Sequence, residues 1–182
     1  DDGGGMSRHD LLMAVQRHAT SKIASASDLN DIHTLGFRGE ALPSIASVSR
    51  MTILTSTGEE AWKMVITGGR MDTMEPAGRT RGTTVTVENL FFNQPARRKF
   101  LRSETTELSW IERMVTGASL AALGCGFRLL HGGREVFSLP AASSVEERLR
   151  HRYGLSKGQR CVSGSSGSSG VKVDLTVFPD KR

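Results

Sequence analysis

At 182 residues and 37% hydrophobic, the chain holds enough apolar material for one sizeable core with a small appendage. Its 24 Lys+Arg against 19 Asp+Glu leave a net charge of +5, which favours a polyanionic partner such as nucleotide or nucleic acid. Cys125 and Cys161 lie far apart without CxxC spacing, which argues against a disulfide scaffold or a cysteine zinc site, and no apolar run approaches the roughly 18 residues of a membrane span.

The chain opens Asp1-Asp2-Gly3-Gly4-Gly5. A carboxylate beside a glycine-rich turn can accept the exocyclic amino group of adenine, and the glycines admit a flat base. Standing alone, the same residues read as an Asp-Gly turn with no ligand. Ser7-Arg8-His9-Asp10 reads as a capping box ahead of a helix whose apolar face includes Leu11, Leu12 and Val15. From His18 to Thr34 the pattern dissolves into small and polar residues, the composition of a lid or binding loop. Within it Thr20, Ser21 and Lys22 place two hydroxyls and an ammonium in a row, suited to phosphate oxygens or, equally, to a solvated lid.

Gly36-Phe37-Arg38-Gly39-Glu40-Ala41-Leu42 then has the layout of a polyphosphate cradle. Two glycines let the backbone approach an anion, and a helix predicted at about 39–49 offers unpaired N–H groups and its positive dipole end. Pro43 suits the first turn, where its missing N–H costs nothing. Met51–Thr55, Trp62–Ile66 and Thr83–Val87 are short, β-branched and bounded by glycine or charge, so they read as strands. Thr83 follows Gly82 and reads as a β-branched residue starting a strand.

Arg97, Arg98, Lys99 and Arg102 follow Pro95 as a basic cluster, either a solvated helix face or a surface for DNA phosphates. A long helix is expected at about 104–123 with Leu108, Ile111, Val115, Ala118 and Ala122 as its stripe, stopped by Gly124. Phe127–His131 and Arg134–Ser138 flank Gly132-Gly133, a two-residue hairpin turn. A short helix at about 144–152 precedes Ser163–Gly170, pure Ser/Gly and expected to be a flexible linker, after which Val171–Val177 alternates as a strand. Helices mixed with hairpin strands predict an α+β fold, a two-layer sandwich of helices on one face of a largely antiparallel sheet.

Taken in order, the acidic-glycine opening, Thr20-Ser21-Lys22, Gly36–Leu42, Gly82-Thr83-Thr84-Val85 and the run Leu90–Leu101 resemble the N-terminal ATPase region of MutL-type DNA mismatch repair proteins. That region belongs to the GHKL ATPase superfamily shared with DNA gyrase and the histidine kinases, with the Bergerat fold. The resemblance runs almost unbroken from Asp1 to about Leu101 and more loosely to about Tyr153. It implies ATP and Mg2+ as cofactors. Asp1, Gly3, Gly5 and Thr83 would lie near adenine, Thr20, Ser21 and Lys22 on the ATP lid, and the 37–42 amides on the phosphates. Asp2 stands where the family pattern has Asn. Val177-Phe178-Pro179-Asp180-Lys181 resembles the segment whose lysine reaches the γ-phosphate, which makes Lys181 the candidate catalytic cation.

The resemblance places the general-base Glu and the magnesium-ligand Asn on a helix preceding the Asp1 loop, so no metal ligand is expected within this sequence and the fold is expected to be incomplete at its N-terminus. The implied organisation is a partial ATP-binding domain at 1–140, the start of a transducer-like subdomain at 141–162, the linker at 163–170 and a closing strand at 171–182. With no initiating methionine and with the Ser/Gly tract, the chain reads as an excised or edited fragment. The implied activity is an ATPase that couples nucleotide binding to lid closure, N-terminal homo- or heterodimerisation and recruitment of mismatch-recognition and other repair proteins. The resemblance implies that the loop and helix carrying Arg97, Arg98, Lys99 and Arg102 help couple ATP binding to dimerisation, with non-specific DNA contact second. No membrane partner is expected, and the location is cytoplasmic in a bacterium or nuclear in a eukaryote. The alternative is a DNA-binding module that does not hydrolyse ATP.

Overall fold

A computed structural model of the chain describes residues 1–17, 39–168 and 171–179. It divides into two compact units, Asp1–Leu101 and Arg102–Arg182, whereas the resemblance puts the domain boundary at 140/141.

In the first unit, helix α1 (Arg8–Ala14) starts as expected: the Ser7 hydroxyl accepts from Asp10 N, and the Asp10 carboxylate accepts from Ser7 N. Leu11 is fully buried, with Leu12 and Val15 packed beside it. Helix α2 (Ala41–Ala46) is followed by strands β1 (Arg50–Ser56), β2 (Ala61–Thr67), β3 (Arg70–Pro76) and β4 (Gly82–Glu88). They form one antiparallel sheet in the order β3-β2-β1-β4. Met51 and Ile53 on β1 lie opposite Ile66 and Met64 on β2, and all four are buried under Leu11 and Ala46 of the helices. This is the expected helices-on-one-face arrangement. On the β4 side the same face is less covered, since Val85 and Val87, paired with Ile53 and Met51, are exposed.

Helix α2 begins two residues later than expected and ends three earlier, so Pro43 sits in its first turn while the 47–49 stretch leaves the helix. Distant segments claim the carbonyls that would have continued it. Gly69 N donates to Ala46 O at 2.9 Å, Asn93 Nδ2 to Ser47 O at 2.9 Å, Phe91 N to Val48 O at 2.6 Å and Gly68 N to Ser49 O at 3.0 Å. Strand β3 was not expected at all. Its mixed charges and terminal proline suit an edge strand, and the available signal was Gly68-Gly69, whose positive φ values of 58° and 85° turn β2 into β3. Helix α3 (Pro95–Arg98) completes this unit.

The second unit contains α4 (Glu104–Ala121), the hairpin β5 (Phe127–His131) and β6 (Arg134–Leu139), α5 (Val145–Tyr153), and the hairpin β7 (Val162–Ser168) and β8 (Val171–Val177). The Gly132-Gly133 hairpin forms as expected. The face of α4 differs: Thr116 and Ser119 are buried while Ile111 is exposed. Arg152 from α5 donates to Thr116 Oγ1 at 2.9 Å and to Glu112 Oε2 at 2.7 Å, so a polar seam runs beside the expected stripe, of which Leu108, Val115, Ala118 and Ala122 are half-buried. Most of the Ser/Gly tract, expected to be a linker, is paired residue for residue with β8. The alternating Val-x-Val-x-Leu-x-Val strand needs a ladder partner, and Ser and Gly supply backbone without competing side chains.

Hydrogen bonds donated to it by the Ser7 hydroxyl and, second, by Ser7 N–H hold the Asp10 carboxyl below the usual carboxylate range. A depressed folded-state pKa means that the stabilisation is present above the unfolded carboxylate value and is lost as pH falls through the folded one. In Ser7→Ala, a carboxyl NMR titration should show Asp10 moving up toward the usual carboxylate range, part of the way because the bond from the backbone N–H at position 7 remains. An unchanged Asp10 titration would contradict this.

Candidate functional site

The residues expected at the adenine end converge although 82 positions separate them. Asp1 Oδ1 accepts from Gly3 N at 3.0 Å and from Thr83 N at 3.1 Å, while the Asp1 amino nitrogen donates to Thr83 O at 2.8 Å. The carboxylate is therefore fixed in orientation by backbone donors.

Close packing makes the clasp possible. Gly5 has φ +71° and approaches Ser56 so nearly that a Cβ would lie 1.9 Å from Ser56 O. Gly82 has φ +124°, and a Cβ there would lie 2.1 Å from Asp1 O. Only glycine fits at either place. A Cβ on Gly3 would stand 3.1 Å from Asp1 Oδ1, crowding the carboxylate, so the loop is shaped to keep that group accessible.

Two supporting residues were missed from the sequence. Thr55 Oγ1 accepts from Met6 N at 2.9 Å, meets Thr83 Oγ1 at 2.9 Å and donates to Gly82 O at 3.3 Å. Arg79 reaches Asp1 O with Nη2 at 3.3 Å, and with Nη1 holds Leu54 O at 2.9 Å and Thr84 Oγ1 at 2.8 Å. A threonine on a strand looks like any β-branched residue. Its role shows only once β1 lies beside β4, where Thr55 and Thr83 face each other.

Of the cradle residues, Gly39 has φ +64°, Glu40 is the N-cap of α2 without a side-chain cap bond, Ala41 and Leu42 form the first turn, and Leu42 also packs on the core. Thr20, Ser21, Lys22, Gly36, Phe37, Arg38 and Lys181 lie outside the described residues. Among the described residues there is no group of three His, Cys, Asp or Glu side chains able to hold a metal ion, and no helix is long and apolar enough to cross a membrane.

No protein-family model matches the chain. Curated DNA mismatch repair proteins MutL do, among them the following two. That of Cellvibrio japonicus is 48% identical over 153 residues, covering 82% of this chain and 24% of its own length. That of Anaeromyxobacter sp. is 47% identical over 183 residues, covering 99% of this chain and 30% of its own length. The chain thus spans less than a third of these relatives. Among solved structures, the Aquifex aeolicus MutL ATPase domain complexed with ADP superposes with a TM-score of 0.74 and 25% identity, over 100% of this chain and 64% of that one. A second Aquifex aeolicus MutL ATPase domain, at 22% identity and a TM-score of 0.69, shares the fold. The α+β architecture is that of these GHKL-type domains, and the chain belongs to the MutL-type DNA mismatch repair proteins, corresponding to part of their ATPase domain.

Proposed function

We propose that the parent protein is a DNA mismatch repair ATPase in which ATP binding and hydrolysis drive lid closure, N-terminal dimerisation and recruitment of mismatch-recognition and other repair proteins. The observation that carries this reading is the clasp of Asp1 by Gly3 and Thr83, in a chain that superposes throughout on an ADP-complexed domain. The Asp1 carboxylate would accept the adenine amino group, with Gly3 and Gly5 giving the base room and Thr83 fixing the acid. Gly36, Phe37, Arg38, Gly39, Glu40, Ala41 and Leu42 would hold the phosphates through their backbone, with Thr20, Ser21 and Lys22 closing over them.

ATP supplies the phosphoryl group to be transferred, and Lys181 would offset charge on its oxygens. Mg2+ and the water-activating glutamate would come from the preceding helix that the family resemblance implies. The 182 residues alone are accordingly proposed to bind nucleotide weakly and not to turn it over. The setting would be the bacterial cytoplasm or the nucleus of a eukaryote.

The test is ATP turnover by the full-length protein. Asp1→Asn should raise KM by about tenfold or more, the effect of one charge-assisted hydrogen bond, and Lys181→Ala should lower kcat by about a hundredfold. Both variants at wild-type rates would refute the residue assignments. A full-length protein without turnover would leave the second reading, a DNA-binding module, which the exposed Arg97, Arg98 and Lys99 on and beside α3 favour.

A further inference from the structure

The segment joining β4 to α3 holds two non-glycine residues in the left-handed region, Asn89 at φ 53° and Phe91 at φ 62°. Asparagine tolerates this conformation, but a phenylalanine there is a real outlier. It is kept in place by the Phe91 N–H bond to Val48 O at 2.6 Å and by Asn93 Nδ2 on Ser47 O at 2.9 Å. The strained turn does not serve to bury its neighbours. Leu90 is left 41% exposed and Phe92 44% exposed, and Leu101 beyond α3 is 44% exposed. Backbone strain retained without a packing gain is the pattern of a binding surface.

These three side chains wall a cavity of ≈ 470 Å³ whose lining also includes Arg50 and Arg98. That volume is within the roughly 300–1,000 Å³ of ligand pockets. Among the described residues no carboxylate lines it. Among the described residues neither Arg50 nor Arg98 is engaged in an ion pair. Two uncommitted guanidinium groups beside an apolar hollow call for an occupant with both characters. A nucleic-acid backbone would satisfy the arginines but would lay phosphate against Leu90, Phe92 and Leu101, which wastes the apolar wall. A neutral apolar segment would leave both cations desolvated and unpaired.

The geometry points to a docking pocket for a short acidic protein segment, in which one leucine or aromatic side chain enters between Leu90, Phe92 and Leu101 while flanking carboxylates meet Arg50 and Arg98. This deepens the partner-recruitment part of the proposed function. It does not depend on nucleotide binding, because no lining residue belongs to the Asp1–Thr83 clasp.

The test is fluorescence anisotropy of the whole chain with a fluorescein-labelled peptide Asp-Glu-Leu-Phe-Glu-Asp. Two controls are used: Lys-Lys-Leu-Phe-Lys-Lys and Asp-Glu-Gly-Gly-Glu-Asp. The acidic apolar peptide should bind at least tenfold tighter than either control. Arg98→Glu and Leu101→Ser should each weaken it about tenfold, and Arg98→Glu should gain affinity for the lysine peptide. Both positions are exposed, so unchanged thermal melts should accompany these effects; Arg70→Glu, on the exposed edge strand, should bind as wild type. Equal binding of the three peptides, or insensitivity to both variants, would overturn the proposal. So would displacement by a duplex DNA oligonucleotide whose own binding falls with Arg98→Glu and not with Leu101→Ser, since that marks a phosphate track. Loss of peptide binding with normal ADP binding, or the reverse, separates failure at this pocket from failure at the nucleotide site.

Discussion

Gly82→Val should cost the protein both stability and nucleotide affinity. At φ +124° the valine would occupy a region of backbone space that is almost exclusively glycine's, a strain of about 1–3 kcal/mol. Its Cβ would also stand 2.1 Å from Asp1 O and 2.9 Å from Asp1 C and Asp2 Cα, so the acidic loop must move away. With it go both hydrogen bonds between Asp1 and Thr83 N, at 3.1 Å to the carboxylate and 3.2 Å to the carbonyl. Losing the oriented carboxylate should weaken ADP binding by about tenfold or more, the share of one charge-assisted bond. Urea unfolding and an ADP titration measure the two effects separately. A variant that unfolds and binds like wild type would mean that the clasp does not hold the loop.

Arg148→Met should be the most damaging single change in the second unit. Arg148 is fully buried, yet among the described residues it forms no ion pair with a carboxylate. Its charge is met by carbonyls instead: Nη1 donates to Pro140 O at 2.5 Å, and Nη2 to Leu123 O at 2.8 Å and Cys125 O at 2.7 Å. The guanidinium also lies 5.6 Å from the centre of the Phe127 ring. One side chain thereby ties α5 to the chain leaving α4 and to the end of the β5–β6 hairpin. Methionine keeps the volume but takes the donors from Pro140 O and Cys125 O, while Leu123 O keeps Ala142 N, at about 1–3 kcal/mol for each acceptor left unpaired before water relieves some of it. A net loss of about 2–3 kcal/mol is expected from urea denaturation. Arg148→Lys should recover part of it, because an ammonium has three donors but not the planar fork. A loss below about 1 kcal/mol for the methionine variant would contradict this role.

What the sequence disclosed, and what it hid, divide along a physical line. Local chemistry was legible. Ser7 and Asp10 cap α1, Gly132-Gly133 turns a hairpin, and β-branched runs become β1, β2 and β4. Each of these depends on residues within a few positions of one another. Features set by distant partners were not legible. Helix α2 stops at Ala46 because carbonyls from 46 to 49 are taken by Gly68, Gly69, Phe91 and Asn93. Thr116 and Glu112 of α4 gain a partner because Arg152 arrives from α5. Thr55 gains its role from Thr83 on a neighbouring strand, and Arg79 from the far end of the acidic loop. The candidate site was readable as a set of motifs through its family resemblance, while its scaffolding was not.

The most direct test of the nucleotide site is an amide NMR titration of the isotopically labelled chain with ADP, which registers even millimolar binding. The amides of Gly3, Thr83 and Leu42 should shift together along one saturating curve, and Asp1→Asn should move that curve to about tenfold higher ADP. Saturating shifts elsewhere that leave Gly3 and Thr83 unmoved, or a curve indifferent to Asp1→Asn, would contradict the account.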